Sequence, residues 1–151
     1  MVLSCVKPAL NASAETATEI SPPGQYRYGA LEFSPDCQYL YFRRAEETSP
    51  TTALYRMLLP DGSFTKLSVE AHSAVTISPD GKRMAFIRYY PETRESALII
   101  AQTDGAGERT LSVRRPPESF FRAPAWSPDD PQLLRLHLPR PKLQLMPAKN
   151  E

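Results

Sequence analysis

The chain has 151 residues, 41% of them hydrophobic and 23% charged, with 18 lysines and arginines against 17 aspartates and glutamates. That length allows one ordinary domain with a real core, and a formal net charge of +1 supplies no field to gather nucleic acid or an anionic membrane. Sixteen prolines, roughly twice the average usage of about 5%, argue against long helices and for a turn-rich β-protein.

Residues 1–29 carry no turn signature. "VLSC" at 2–5 has the outline of a lipoprotein cleavage box, but it lacks a charged n-region and an apolar h-region, so it is read as chance. The two cysteines, Cys5 and Cys37, lie in no CxxC or Cys/His ligand pattern, and spacing does not decide whether they pair. Asn11-Ala12-Ser13 fits a glycosylation sequon, a triplet that is common by chance. "VKPALNASAETATEI" at 6–20 has the apolar and polar positions of the closing strands of a preceding unit. No window anywhere holds 3.6-residue apolar spacing for more than about two turns, and none is a transmembrane run. With no signal peptide in the chain, the default compartment is cytoplasmic, a periplasmic parent module being the other reading.

The first turn signature is "FSPDCQYLYF" at 33–42. Proline presets φ for the second position of a type I turn, serine suits the first, aspartate tolerates the third and glycine takes the fourth. The flanks are apolar or alternating, so the segment predicts a strand at 30–33, a turn at 34–37 and a strand at 38–43. A polar, proline-bearing loop "RAEETSPTT" leads to a strand at 53–58, an Asp61-Gly62 turn at 60–63 and a strand at 64–68. The pattern then repeats: strand 74–77, the turn Ser78-Pro79-Asp80-Gly81, strand 83–88, the loop "YYPETRES", strand 97–102, a turn at 103–107 with Asp104-Gly105, and strand 108–112. A third copy begins with Trp126-Ser127-Pro128-Asp129. There Asp130 replaces the glycine, and Pro131 stands where a strand should start.

Ser34 and Ser78 are 44 residues apart, and Ser78 and Ser127 are 49 apart. The Asp-Gly turn follows each serine at 27 and then 26 residues. Two landmarks holding phase over two repeats indicate a structural unit, and a period in the 40s is the size of a four-stranded propeller blade. The expected fold is therefore all-β: a partial β-propeller of two full four-stranded antiparallel blades with partial blades at both ends. The expected organisation is a partial preceding blade or extended segment over 1–29, blades over 30–130, and an irregular Pro-rich tail over 131–151. The tail has four prolines and no Asp-Gly turn.

The units "FSPDCQYLYF…LYRMLLPDGSFTKL" and "ISPDGKRMAF…LIIAQTDGAGERTL" resemble WD-repeat-like blades of the TolB type. They are most similar to the bacterial propeller regions that follow Ser/Thr kinase or winged-helix regulator domains in soil bacteria. The resemblance covers roughly 30–130 and implies a sensing or protein-docking module. It carries over no catalytic residue. Cys37 departs from the pattern by standing where the turn glycine belongs.

The remaining candidates read as scaffold. Trp126 aligns with Phe33 and Ile77 and is expected in the core. Asp36, Asp80 and Asp129 recur with the turn, one per blade, so they cap turns and do not form a carboxylate pair. His72 and His137 have no triad or zinc pattern around them. Gly105-Ala106-Gly107 lies in a hairpin and lacks the third glycine of a dinucleotide loop. Half of the cluster Tyr26, Tyr28, Tyr39, Tyr41 and Phe42 should pack between blades, because alternate strand residues face opposite ways. Phe120 and Phe121 are expected between blades, a recognition loop being the alternative.

The sequence thus predicts a non-catalytic docking or sensing module, a fragment of a larger regulatory protein. It is expected to have no catalytic, cofactor-binding or metal-binding residue and to use no cofactor. Its expected partners are a protein or peptide, or further blades of a longer chain, with self-association when isolated. Nucleic-acid binding and membrane insertion are not expected. The alternatives are the gating propeller of an oligopeptidase-like serine hydrolase, or a truncated frame with no independent role. A Gly-x-Ser-x-Gly elbow in flanking sequence would favour the hydrolase.

Overall fold

A computed structural model describes residues 24–46, 48, 52–59, 61–68, 71–120, 122–127, 133–137 and 143–147. The expected hairpins form. β1 (Tyr26–Phe33), β2 (Tyr39–Glu46), β3 (Ala53–Leu58) and β4 (Phe64–Ser68) make one antiparallel sheet in sequential order. β5 (Thr76–Ile77), β6 (Arg83–Tyr90), β7 (Glu95–Gln102) and β8 (Arg109–Arg114) make the second. No helix occurs among the described residues. β5 lies beside both β1 and β9 (Ala125–Trp126), so the first strands of successive blades sit next to one another.

Several strand boundaries differ from the sequence reading, and the larger shifts have local reasons. The first blade begins at Tyr26, so residues 26–29 belong to β1 and not to the preceding segment. A register shift between Gly29 and Glu32, with Ala30 at φ 57°, breaks the alternation and hides the start of the strand. β5 is shorter than the expected 74–77, because the Ser73 hydroxyl takes the Ile87 N–H in place of a ladder carbonyl. β6 and β7 run further into their loop, pairing Tyr90 with Glu95 around a tight turn that places Arg94 at φ 54°.

The tail reading is corrected. β10 (Leu133–His137) and β11 (Leu143–Pro147) pair antiparallel, and β10 pairs with β9 through Leu134–Trp126 and Arg135–Ala125. Prolines did not prevent this because of where they fall. Pro139 and Pro141 lie between the two strands in sequence, and Pro147 ends β11, which is an edge strand of its sheet. Among the described residues this third sheet has three strands. The preceding segment, over 1–23, lies outside the described residues.

The core sits between blades. Tyr41 and Leu54 of the first blade meet Met84, Phe86, Ala97, Ile99 and Ala101 of the second, with Ala71, Val75 and Ile77 filling in. The opposite face of the second blade, with Ala85, Ile87, Leu98 and Ile100, packs on Phe120 and Trp126. The far face of the first blade carries Leu40, Phe42 and Met57, flanked by Phe33, Tyr55 and Leu59. Each of the two full blades is thus apolar on both faces, as stacked sheets require.

Candidate functional site

The signature residues build two matching turns. In the first, the buried Ser34 hydroxyl donates to Asp36 Oδ1 and accepts the Tyr39 N–H at 2.9 Å, while Asp36 Oδ1 also accepts the Gln38 N–H at 3.1 Å. In the second, Ser78 donates to Asp80 and accepts the Arg83 N–H at 2.9 Å, and Asp80 accepts the Lys82 N–H at 3.1 Å. The fourth positions, Cys37 and Gly81, have φ 57° and 71°, the left-handed region that favours glycine. Pro35 and Pro79 occupy the second positions. Ser127 is buried like the other two serines, while Pro128 and Asp129 lie outside the described residues. In the Asp-Gly turns, Asp61 Oδ1 accepts from Ser63 N–H and hydroxyl, and Asp104 Oδ1 accepts from Ala106 N–H. Gly62 and Gly105 also take positive φ, 72° and 91°.

These bonds fix the charge states. The Ser34 hydroxyl, then the Gln38 N–H, hold Asp36 below the usual carboxylate range. Burial works against ionisation of Asp80 but is outweighed by Ser78, the Lys82 N–H and the Arg83 and Lys82 charges, so its pKa is also lowered. The Ser63 N–H and hydroxyl lower Asp61. The serine hydroxyls are spent on backbone and carboxylate. His72, whose N–H bonds Ile87, sits at the opposite end of the β5–β6 hairpin from Ser78. No nucleophile–base pair arises at these two described signature turns.

Between the turn ends of the two blades lies a cleft of about 400 Å³, lined by Asp36, Tyr39, Tyr41 and Arg56 on one side and Asp80 and Thr103 on the other. The Thr103 carbonyl accepts from both Tyr41 Oη and Arg56 Nη1, each at 3.3 Å, and Arg56 stacks over Tyr39 at 4.8 Å. Burial pushes the Tyr41 phenol up. The first strands are tied as well. Trp126 Nε1 donates to the Thr76 carbonyl at 3.0 Å, and Glu32, pushed up by burial, takes the Ile77 N–H. Trp126 is a core residue, as its alignment predicts, and Arg83 lies over its ring. Phe120 is buried beside it; Phe121 lies outside the described residues.

The aromatic cluster divides between faces. Tyr39 and Tyr41 join the inter-blade core, whereas Tyr26, Tyr28 and Phe42 lie on the far face of the first blade. Sequence reasoning missed the rest of that face. Tyr55 stacks on Phe42 at 5.6 Å, Phe64 meets both edge-on, and Arg44 lies over the rings of Tyr26, Tyr55 and Phe64 at 4.2, 4.4 and 5.3 Å. The cross-strand register, which pairs Phe42 with Tyr55, was the signal that finds it. Tyr28 and Phe64 are 39% and 38% exposed. Among the described residues no group of three or more His, Cys, Asp or Glu side chains is placed to hold a metal. Among those residues no helix is long and apolar enough to cross a membrane.

No family model matches the chain, and no curated protein matches it at a significant level. Solved structures do. A dipeptidyl aminopeptidase IV homologue from Bacteroides ovatus matches at TM-score 0.68 and 13% identity over 85% of this chain and 25% of its own. TolB from Acinetobacter baumannii matches at 0.62 and 15% over 79% and 29%. The β-propeller domain of the trilobed protease from Pyrococcus furiosus, described as having an open velcro topology, matches at 0.58 and 16% over 74% and 34%. The chain therefore spans about a quarter to a third of the length of these three structures. Identities this low speak for fold alone, and the fold is that of a partial β-propeller of the TolB-like kind.

Proposed function

We propose that the chain is a non-catalytic propeller module that docks a protein or peptide and forms part of a larger regulatory protein, in the manner of propellers attached to kinase or winged-helix regulators. The observation that carries this is the aromatic–arginine face of the first blade. Tyr26, Tyr28, Tyr55 and Phe64 cluster about Arg44, and tyrosine and arginine are residue types enriched where proteins bind each other. Phe42 in that face stands 44 residues before Phe86, which the first blade covers, so the face lies where the repeat would seat another blade. In the isolated chain a second copy takes that place, and the chain self-associates.

Sedimentation velocity at micromolar concentration tests this. Association is expected in the native chain, weakened at least tenfold by Arg44→Ala together with Phe64→Ser. A native chain that stays monomeric would count against self-association, and equal association in the double variant would move the docking face elsewhere. The second reading, a gating propeller of a serine hydrolase, is favoured by the likeness to the dipeptidyl aminopeptidase IV homologue and the trilobed protease propeller. On either reading the catalysis belongs to other domains. Peptidase turnover by the pure chain that a single Ser or His substitution abolishes would overturn both.

A further inference from the structure

At the end of the blades opposite the signature turns lies a second cavity, of about 420 Å³. Arg43 reaches it from the first blade, His72, Ile87 and Tyr89 from the second, and Phe120 and Arg122 from the connection to β9. Among the described residues no aspartate or glutamate lines it. In a chain with 18 cationic and 17 acidic residues, a wall with two guanidiniums and, among the described residues, no carboxylate stands out.

The nearby arginines of the second blade behave differently. Arg88 pairs with Glu108, Arg114 with Glu118 and Arg115 with Glu95. Among the described residues, neither Arg43 nor Arg122 has a carboxylate partner. The Arg43 head is held in place by one bond, from Nη1 to the His72 carbonyl at 2.9 Å, while its Nε is enclosed without an acceptor. Burial lowers its pKa, the mark of a cation short of compensation.

The acceptor atoms of the wall's Ser73, Ser96 and His72 side chains are already engaged. The Ser73 hydroxyl donates to the Ala74 carbonyl and accepts the Ile87 N–H; the Ser96 hydroxyl accepts from Phe120 N–H and the Ser119 hydroxyl. His72 Nδ1 accepts the Tyr89 N–H at 3.2 Å, which leaves Nε2 as the protonated nitrogen of the neutral ring. What remains unspent is donors and positive charge, beside an apolar floor of Ile87, Phe120 and Ala123. We infer that this cavity binds a carboxylate carried on an apolar or aromatic body, held by Arg43 and Arg122 with the ring or chain against Phe120. Planar guanidinium donors match a carboxylate, and the volume is in the range of small-ligand pockets.

The site stands apart from the docking face, so the two are tested separately. The full chain is titrated, with ¹H–¹⁵N spectra followed at His72, Ser73, Phe120 and Ala123, using N-acetylphenylalanine, 3-phenylpropionate, N-acetylphenylalaninamide and inorganic phosphate. Both carboxylates should perturb these amides and the neutral amide should not, with a difference in affinity of at least tenfold. Tighter binding of N-acetylphenylalanine than of 3-phenylpropionate marks a peptide C-terminus as the source, and equal binding marks a free small acid. Arg43→Met and Arg122→Met should each weaken carboxylate binding about tenfold. Arg122 is exposed, so its variant keeps the test open if the Arg43 variant fails to fold. Equal binding of the neutral amide, tighter binding of phosphate, no perturbation at these amides, or unchanged binding in the Arg122 variant would overturn the assignment.

Discussion

The first and second blades are the same unit 44 residues apart, yet many of their equivalent positions hold different side chains. Tyr41, Arg43 and Arg56 of the first blade correspond to Ala85, Ile87 and Ile100 of the second. The junction between first and second blades is accordingly part polar: Tyr41 and Arg56 donate to the Thr103 carbonyl, and Arg43 donates to the His72 carbonyl. The junction between second and third is an aliphatic face against Phe120 and Trp126. Leu54 and Leu98, buried at the first and second junctions respectively, keep their chemistry, as do the partly buried Leu67 and Leu111 beside them. The turns are set by the repeat; the faces are set by what lies opposite.

Core truncation gives the largest test of this contrast. Phe86 is fully enclosed between two blades, so Phe86→Ala should cost about 3–5 kcal/mol. Phe42 stands in the same position of the first blade, where its cover includes the partly exposed Tyr28 and Phe64. Phe42→Ala should cost roughly half as much, read from urea midpoints at constant slope. Equal losses would mean that the far face of the first blade is as fully packed as the junction.

The turn serines come next. Ser78→Ala strands the part-buried Arg83 N–H and removes a donor from Asp80, a loss of about 1–3 kcal/mol. Ser34→Ala should cost the same or slightly less, since Ser34 is 6% exposed and Ser78 0%. A neutral Ser78→Ala would show that water replaces the hydroxyl and that the motif is only a matter of φ preferences.

A smaller effect is expected at Cys37, which carries φ 57° where its counterpart is Gly81. Cys37 is disulfide-bonded, so the comparison belongs in reducing buffer. There Cys37→Gly should stabilise the first blade by roughly 0.5–1 kcal/mol, by relieving the left-handed strain. An equal or lower midpoint would mean that the extra backbone freedom of glycine in the unfolded chain offsets the relief.

The smallest effect is in pH. Asp36, Asp61 and Asp80 have folded pKa values below 3.8, so their contribution is complete above that value and is lost as pH falls through the lowered pKa of each. All three are largely exposed and solvent-screened, so the loss is modest. Glu32 has the opposite sign. Its folded pKa lies above 4.5, so protonation favours the fold, and stability rises as pH falls from neutral through that pKa. Thermal melts should therefore rise slightly on mild acidification and fall below about pH 4. Glu32→Gln should remove the rise and leave the fall.

The repeat signature was legible in the sequence because its causes are local. The Ser34 and Ser78 hydroxyls reach five residues along the chain and their aspartates two, so short quoted stretches contain the whole bonding pattern. Strand number, phase and antiparallel order followed from those turns. Proline content argues against strands in the tail, but it does not tell that β11 is an edge strand among the described residues, where proline is tolerated.

By itself the sequence determined the turns and the 44-residue phase, since proline φ, left-handed fourth positions and serine–aspartate bonding act within one hairpin. Tertiary structure alone decided which face of each strand meets which neighbour. The bonds that express that choice join Arg43 to His72 across 29 residues and Tyr41 to Thr103 across 62. Side chains that far apart in the chain become neighbours only when one blade stacks on the next, and no local pattern encodes what the stack will place beside them.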